Sequence, residues 1–77
     1  MDKISKTSFG FSESPNGGYI VRYTTPKKND YWIAEVGDIS LISKVFLAKE
    51  PNQFDLQSLR WHMRRHGKHY DHKGRPI

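Results

Sequence analysis

The sequence contains no cysteine, and this absence removes several classes of small protein. Without a thiol the chain is neither a disulfide scaffold, nor a thiolate zinc finger, nor a cysteine-dependent enzyme. Long apolar runs are missing too, since no stretch approaches the roughly 18 residues that a membrane span needs. The opening "MDKISKTSFGF" also lacks the apolar segment of a secretion signal. We therefore expect a cytoplasmic protein with no membrane partner.

The length of 77 residues allows one small core, because short chains bury only a modest share of their surface. We expect a single domain over residues 1–77, with flexible ends at 1–6 and 68–77. No internal repeat or low-complexity tract is visible, so nothing divides the chain further.

Turn residues separate strand-like segments in the first half of the chain. "SPNGG" supplies the proline and glycines of a tight reversal between "SFGF" and "GYIVRYT". "TPKKND" and "GD" then bound "YWIAEV", and "ISLISKVFLA" follows. This pattern predicts a meander of three or four antiparallel strands, with "ISLISKVFLA" as its last strand.

Alternation assigns the strand residues to two faces. The expected inward residues are Tyr19, Val21, Tyr23, Trp32, Ala34, Val36, Val45 and Leu47. The expected outward residues are Ile20, Arg22, Tyr31, Ile33, Glu35, Lys44 and Phe46. An outward face of aromatic and charged residues is typical of a half-solvated sheet, and equally of a sheet that lies in a DNA groove.

A helix is predicted from Gln53 to His66. Asn52 can cap its start, and Gly67 favours its end. At about 100° per residue, an apolar stripe faces the sheet and two aromatic residues lie opposite it. The stripe consists of Leu56, Leu59 and Met63, and the opposite aromatic residues are Phe54 and Trp61. The expected fold is therefore α+β, an antiparallel meander with one C-terminal helix packed on the sheet.

The charge is concentrated at one end of the chain. Residues 1–59 contain seven Lys and Arg against seven Asp and Glu, whereas residues 60–77 contain six against one, so the last segment holds the whole net charge of +5. Such asymmetry indicates an anionic partner, most often nucleic acid. A solvated helix end is the alternative, because cations stabilise helix C-termini through the macrodipole.

Four histidines lie in the same segment, at positions 62, 66, 69 and 72. His62 and His66 are four residues apart and share a helix face, as two metal ligands would. Neighbouring cations would repel a divalent metal ion, and no acidic residue is placed to orient the rings. Catalysis would also need a positioned nucleophile or carboxylate. We therefore expect no metal site, no cofactor and no enzymatic activity.

The segment from "YWIAEVGD" to "SKVFLA" and the helix after it resemble a known DNA-binding domain. The likeness is to the three-stranded sheet and helix of plant ethylene-response factors and phage integrase arm-binding domains, and it covers residues 19 to about 66. The matching residues are Trp32, Ala34, Glu35, Val36, Asp38, Lys44, Val45 and Phe46. The resemblance implies DNA contacts by Glu35, Lys44, Phe46 and Arg22. Gly37 departs from the family, which has a basic residue there, and Ala48 replaces its glycine.

Two functions are compatible with these features. The first is a nucleic-acid-binding accessory or regulatory protein, with DNA expected before RNA, that uses the basic helix and tail for phosphates and Trp61 for stacking. The second is a phage or mobile-element protein-interaction module that inhibits a host nucleic-acid enzyme or defence complex. For either partner, the candidate residues are Arg60, Trp61, Arg64, Arg65, Lys68, Lys73, Arg75, Arg22, Lys44 and Phe46.

Overall fold

The structure is a computed structural model that describes residues 4–25, 27 and 29–77. A short 3₁₀ turn at Lys6–Ser8 precedes three consecutive strands. These are β1 (Phe9–Glu13), β2 (Tyr19–Thr24) and β3 (Tyr31–Val36). Then come α1 (Ile39–Ile42), which continues into a π-helical turn (Ser43–Leu47), the long helix α2 (Gln53–His66) and strand β4 (Lys68–Tyr70).

The four strands form one antiparallel sheet in the order β1-β2-β3-β4, and α2 packs on one of its faces. The predicted α+β class is confirmed. The face towards α2 carries the core, including Val21 and Tyr23 of β2 and Ala34 and Val36 of β3. Alternation therefore assigned the inward residues of these two strands correctly.

The turn predicted at "SPNGG" joins β1 to β2. The backbone N–H of Ser14 donates to the carbonyl of Gly18 at 3.0 Å, which closes the hairpin. Gly17 and Gly18 have φ angles of +84° and +97°, which only glycine adopts without strain. A β-carbon on Gly18 would also lie 2.8 Å from the carbonyl oxygen of Val36. Backbone shape thus requires both glycines, and close packing also requires Gly18.

The strand predicted over "ISLISKVFLA" is wrong, because this segment is helical. The Asp38 carboxylate accepts a hydrogen bond from the Leu41 N–H at 3.1 Å and so caps α1. Ile42 and Val45, three positions apart, are both buried, as helical spacing requires, whereas Leu47 is 69% exposed. A short apolar run contains both periodicities, and here the cap and the three-residue spacing prevail.

The fourth strand instead comes from the segment assigned to a flexible tail. β4 pairs with β3, so that Tyr70 lies opposite Tyr31 and His69 opposite Trp32. After a turn the chain pairs back on β4, where the Ile77 N–H donates to the His69 carbonyl at 3.0 Å. The basic residues of this segment interrupt any apolar alternation, so the sequence carries no strand pattern there.

Ile4, the first described residue, is hydrogen-bonded to α2. Ile4 is buried, and its backbone N–H and carbonyl bond the Gln53 side chain at 3.0 and 2.9 Å. Residues 1–3 of the predicted flexible segment 1–6 lie outside the described residues. Ile4 therefore joins the N-terminal segment to the first turn of α2.

Helix α2 has the predicted bounds and the predicted faces. The Asn52 side chain accepts a hydrogen bond from the Asp55 N–H at 2.8 Å, which caps the first turn. Leu56, Leu59 and Met63 are all buried in the core. Gly67 ends the helix with φ at −86°, which any residue adopts, so its conformation does not demand glycine. Close packing does demand glycine, since a β-carbon there would clash with the Met63 carbonyl oxygen and lie 3.0 Å from the Ile33 carbonyl oxygen.

Candidate nucleic-acid interface

The outward face of α2 combines an aromatic ring with cations, as the helical spacing predicted. Trp61 is 67% exposed. Together with Arg64 and Arg65 it lines a shallow groove of about 420 Å³. The predicted exposure of Trp61 is confirmed, and its ring lies within reach of two guanidinium groups.

In the described part of the chain, the cations of the α2 face and Lys68, which follows the helix, have no acidic partner. No described carboxylate lies within 4 Å of Arg60, Arg64, Arg65 or Lys68. Arg64 and Arg65 are exposed, and Arg60 is half-buried. Because no described carboxylate pairs with these four charges, they remain available to an anionic partner.

Arg64 extends from α2 towards the sheet. Its guanidinium carbon lies 6.0 Å from the ring centroid of Trp32, at the outer limit of a cation–π contact. Trp32 in turn stacks on His69 of β4. Arg64 thus lies where the end of α2 meets the junction of β3 and β4.

A second aromatic residue shares the outward face. Phe54 is 77% exposed and precedes Trp61 by seven positions, which is about two helical turns. Both rings therefore lie on the side of α2 that points away from the buried Leu59. Two large exposed aromatic side chains therefore share one face of this helix.

The predicted tail cations lie on a compact turn. The Asp71 carboxylate accepts hydrogen bonds from the backbone N–H groups of Lys73 and Arg75, each at 2.9 Å, and lies 3.9 Å from the Arg75 guanidinium. The turn folds back along β4 on the edge away from β3. Lys73 and Arg75 are therefore exposed beyond the sheet edge, and Arg75 is partly neutralised.

The remaining candidates lie on other elements and do not join the α2 face. Arg22 lies on the opposite face of the sheet, between the buried Val21 and Tyr23. Lys44 is exposed on the π-helical turn. Phe46 of the same turn contacts the ring of Phe11 at 4.6 Å between centroids, so its ring supports the edge of the core. The strand that the resemblance assigns to Lys44 and Phe46 is thus helical.

Glu35, which the resemblance also implicates, is exposed on the face of the sheet away from α2. Its carboxylate accepts a hydrogen bond from the Ser14 hydroxyl at 3.1 Å. This contact links β3 to the turn before β2. A DNA contact by Glu35 stays a prediction.

The four histidines divide into separate environments. The rings of His62 and His66 are adjacent on α2, with centroids 4.8 Å apart. Burial of the ring, followed by the proximity of His66, lowers the pKa of His62. His69 lies in β4, and His72 is exposed in the tail. Among the described residues, no three His, Asp or Glu side chains gather as a metal-binding group.

One arrangement was not anticipated, because it depends on the missed strand β4. On the outer face of the sheet, the guanidinium of Arg22 lies 4.0 Å above the ring of Tyr31. Tyr31 also stacks with Tyr70, with centroids 5.4 Å apart and planes inclined by 19°. Alternation had already placed Arg22 and Tyr31 outward, but nothing in the sequence brought Tyr70 beside them.

None of the described helices is both long enough and apolar enough to cross a bilayer. No protein-family model, no curated protein and no solved structure matches this chain.

Proposed function

We propose that this protein is a small nucleic-acid-binding accessory or regulatory protein whose main contact surface is the outward face and C-terminal end of α2. The observation that carries the proposal is a group of cations that lie beside an exposed tryptophan and have no carboxylate partner among the described residues. Arg64 and Arg65 line the groove of Trp61, and Lys68 follows at the end of the helix.

The charge distribution supports a polyanionic partner. The net charge of +5 arises entirely within residues 60–77, where α2 ends and β4 begins. Each phosphate that a Lys or Arg neutralises releases condensed counterions, and this release supplies much of the affinity for nucleic acid. Cations that were already paired with carboxylates of the protein would contribute less. No described carboxylate pairs with the cations of α2.

The groove adds a contact that a point charge does not offer. An exposed tryptophan ring that shares a groove with two arginines can stack on a base while the arginines bind the flanking phosphates. We expect DNA, in preference to RNA, as the ligand because the sequence resembles DNA-binding domains. Lys73 and Arg75 extend the contact along the sheet edge.

The test is a salt-resolved titration of the protein against duplex DNA, single-stranded DNA and RNA of equal length. We expect a linear decrease of log affinity with log salt concentration. Arg64→Gln and Arg65→Gln should each reduce the slope by about 0.9 on a duplex and weaken binding to all sequences alike. Lys49→Gln is the charge-matched control, because Lys49 is exposed in the segment before α2. Absence of salt-dependent binding at low ionic strength would reject the proposal.

A second function, docking on a protein that itself processes nucleic acid, is favoured by the pair of exposed rings. Phe54 and Trp61 lie on one face of α2, and aromatic residues often anchor protein interfaces. This function predicts that Phe54→Ala and Trp61→Ala together abolish binding to one protein partner. If the protein docks on a protein partner in this way, its affinity for nucleic acid should equal that of any small protein of the same charge.

A further inference from the structure

The outer face of the sheet, on the side away from α2, is a second surface of the molecule. The π-helical turn contacts the other side through Phe46 and Phe11, and α2 packs on that same inner side. In the described part of the chain, no helix packs on the outer face. Ile33 of β3 lies at its centre, with Arg22 directly opposite on β2 and Lys68 directly opposite on β4.

Aromatic rings border this central row. Tyr31 and Tyr70 form a cross-strand pair one row away along β3 and β4, and their rings stack. The guanidinium of Arg22 lies over the ring of Tyr31. The ring of Tyr31 is therefore flanked by Arg22 and Tyr70. Ile33, Tyr31 and Tyr70 together form an ordered apolar strip with a cation at each side.

Both cations of the outer face are available to an anion. No described carboxylate lies within 4 Å of Arg22 or Lys68. The nearby acidic residue of this face, Glu35, already accepts a hydrogen bond from Ser14. The contact with Tyr31 orients the Arg22 guanidinium before any ligand arrives, which lowers the entropic cost of binding a phosphate.

We infer that the outer face binds single-stranded nucleic acid, with phosphates on Arg22 and Lys68 and a base on the strip between them. The inference rests on the proposed function and narrows its ligand to an unpaired strand. Because Arg22 and Tyr70 already flank Tyr31, the base contact is assigned to Ile33 and Tyr70.

A single strand fits this face better than a duplex does. The ring of Tyr70 and the apolar side chain of Ile33 can contact the face of a base, whereas a duplex hides base faces within its stack. Ile33, at the centre of the outer face, has no hydrogen-bonding group with which to read base edges in a groove. Lys68 also follows α2 through Gly67, so this outer-face cation is close in sequence to Arg64 and Arg65 at the end of the helix.

The experiment measures fluorescence anisotropy with a 12-nucleotide oligothymidylate, a 12-nucleotide oligouridylate and a 12-base-pair duplex. Ile33→Thr keeps the branched side chain that a strand favours and removes apolar surface. We expect it to weaken oligonucleotide binding by about fivefold or more, with an unchanged salt slope.

Arg22→Gln should reduce the single-strand slope by about 0.7. Neither variant should change duplex affinity. Comparison of the two oligonucleotides separates DNA from RNA as the source of the strand.

Matched controls and folding checks accompany these variants. Ile39→Thr removes the same apolar group from an exposed site on α1, and Lys49→Gln removes one exposed cation elsewhere. Both controls should bind the oligonucleotides as the unchanged protein does. Amide chemical-shift spectra report whether Ile33→Thr is folded, and titration of the unchanged protein should shift the amides of β2, β3 and β4.

The outcomes separate this inference from the proposed function. If Arg64→Gln and Arg65→Gln weaken binding to all three probes while Ile33→Thr and Arg22→Gln match their controls, the outer-face site is wrong and the proposed function stands. Tighter binding to the duplex than to either oligonucleotide also overturns the single-strand inference. No salt-dependent binding to any probe overturns both.

Discussion

The indole ring of Trp32 stacks on the imidazole of His69, with centroids 4.1 Å apart and planes inclined by 7°. This pair joins β4 to the rest of the sheet on the same face as the core. The imidazole Nε2 is buried and lies 3.4 Å from the Asp30 carboxylate, within ion-pair distance but without hydrogen-bond geometry. The Trp32–His69 stack therefore adds a side-chain contact to the backbone pairing of β3 and β4 that attaches the basic C-terminal segment.

His69→Ala is expected to destabilise the protein. Aromatic pairs contribute roughly 0.5–1.5 kcal/mol beyond the area that they bury, so a loss of about 1–2 kcal/mol in the free energy of unfolding is expected. Urea denaturation followed by circular dichroism measures it. His72→Ala is the control, because His72 is exposed in the tail and its removal should leave the midpoint unchanged. Equal effects of the two variants would show that the stack does not hold β4.

Leu59→Ala is expected to cost roughly 2–4 kcal/mol of the free energy of unfolding, because the side chain is fully buried between α2 and the sheet and its loss leaves a cavity. Phe54→Ala removes a larger side chain from the exposed face of the same helix and should change stability by less than about 0.5 kcal/mol. Thermal or urea unfolding of the two variants distinguishes these outcomes. A similar cost for both would contradict the orientation of α2.

Stability is expected to fall as the pH falls below about 6.5, through His62. Burial and then His66 lower its pKa in the folded protein below the ordinary value of 6.5. The unfolded chain consequently binds more protons between the lowered pKa and 6.5, so stability declines across that window and levels off below it.

Unfolding free energies measured from pH 7.5 to pH 4.5 test this dependence. His62→Gln should remove the His62 part of the slope, and His66→Gln should reduce it, because the charge of His66 is one cause of the lowered pKa. His72→Gln serves as the control and should retain the full slope. An unchanged slope in His62→Gln would contradict the assignment.

Stoichiometric zinc is expected to leave the melting temperature nearly unchanged. Two adjacent rings, His62 and His66, offer a pair of ligands, and no third described His, Asp or Glu side chain gathers with them. A metal that bound only the folded state would raise stability by mass action. A large increase that His66→Gln abolished would reveal a site and overturn this expectation.

Local patterns were sufficient for the elements whose signals lie within a few neighbouring residues. The turn at Gly17 and Gly18 and the helix from Gln53 to His66 were predicted because caps and positive φ angles depend on adjacent residues. The helix period also placed Trp61 outward and Leu59 inward. By contrast, the run that contains Ile42 and Val45 is short enough to satisfy either period, and the Asp38 cap went unrecognised.

The amino-acid sequence by itself determined the fold class, the bounds and faces of α2 and the concentration of charge after residue 59. Only the tertiary structure decided that residues 68–70 complete the sheet, because strand pairing depends on a distant partner and short polar strands carry almost no pattern of their own. The same pairing placed Tyr70 beside Tyr31, and Lys68 on the outer face with Arg22. Long-range strand pairing therefore decides which cations share a surface. The spacing of residues along the chain does not encode that pairing.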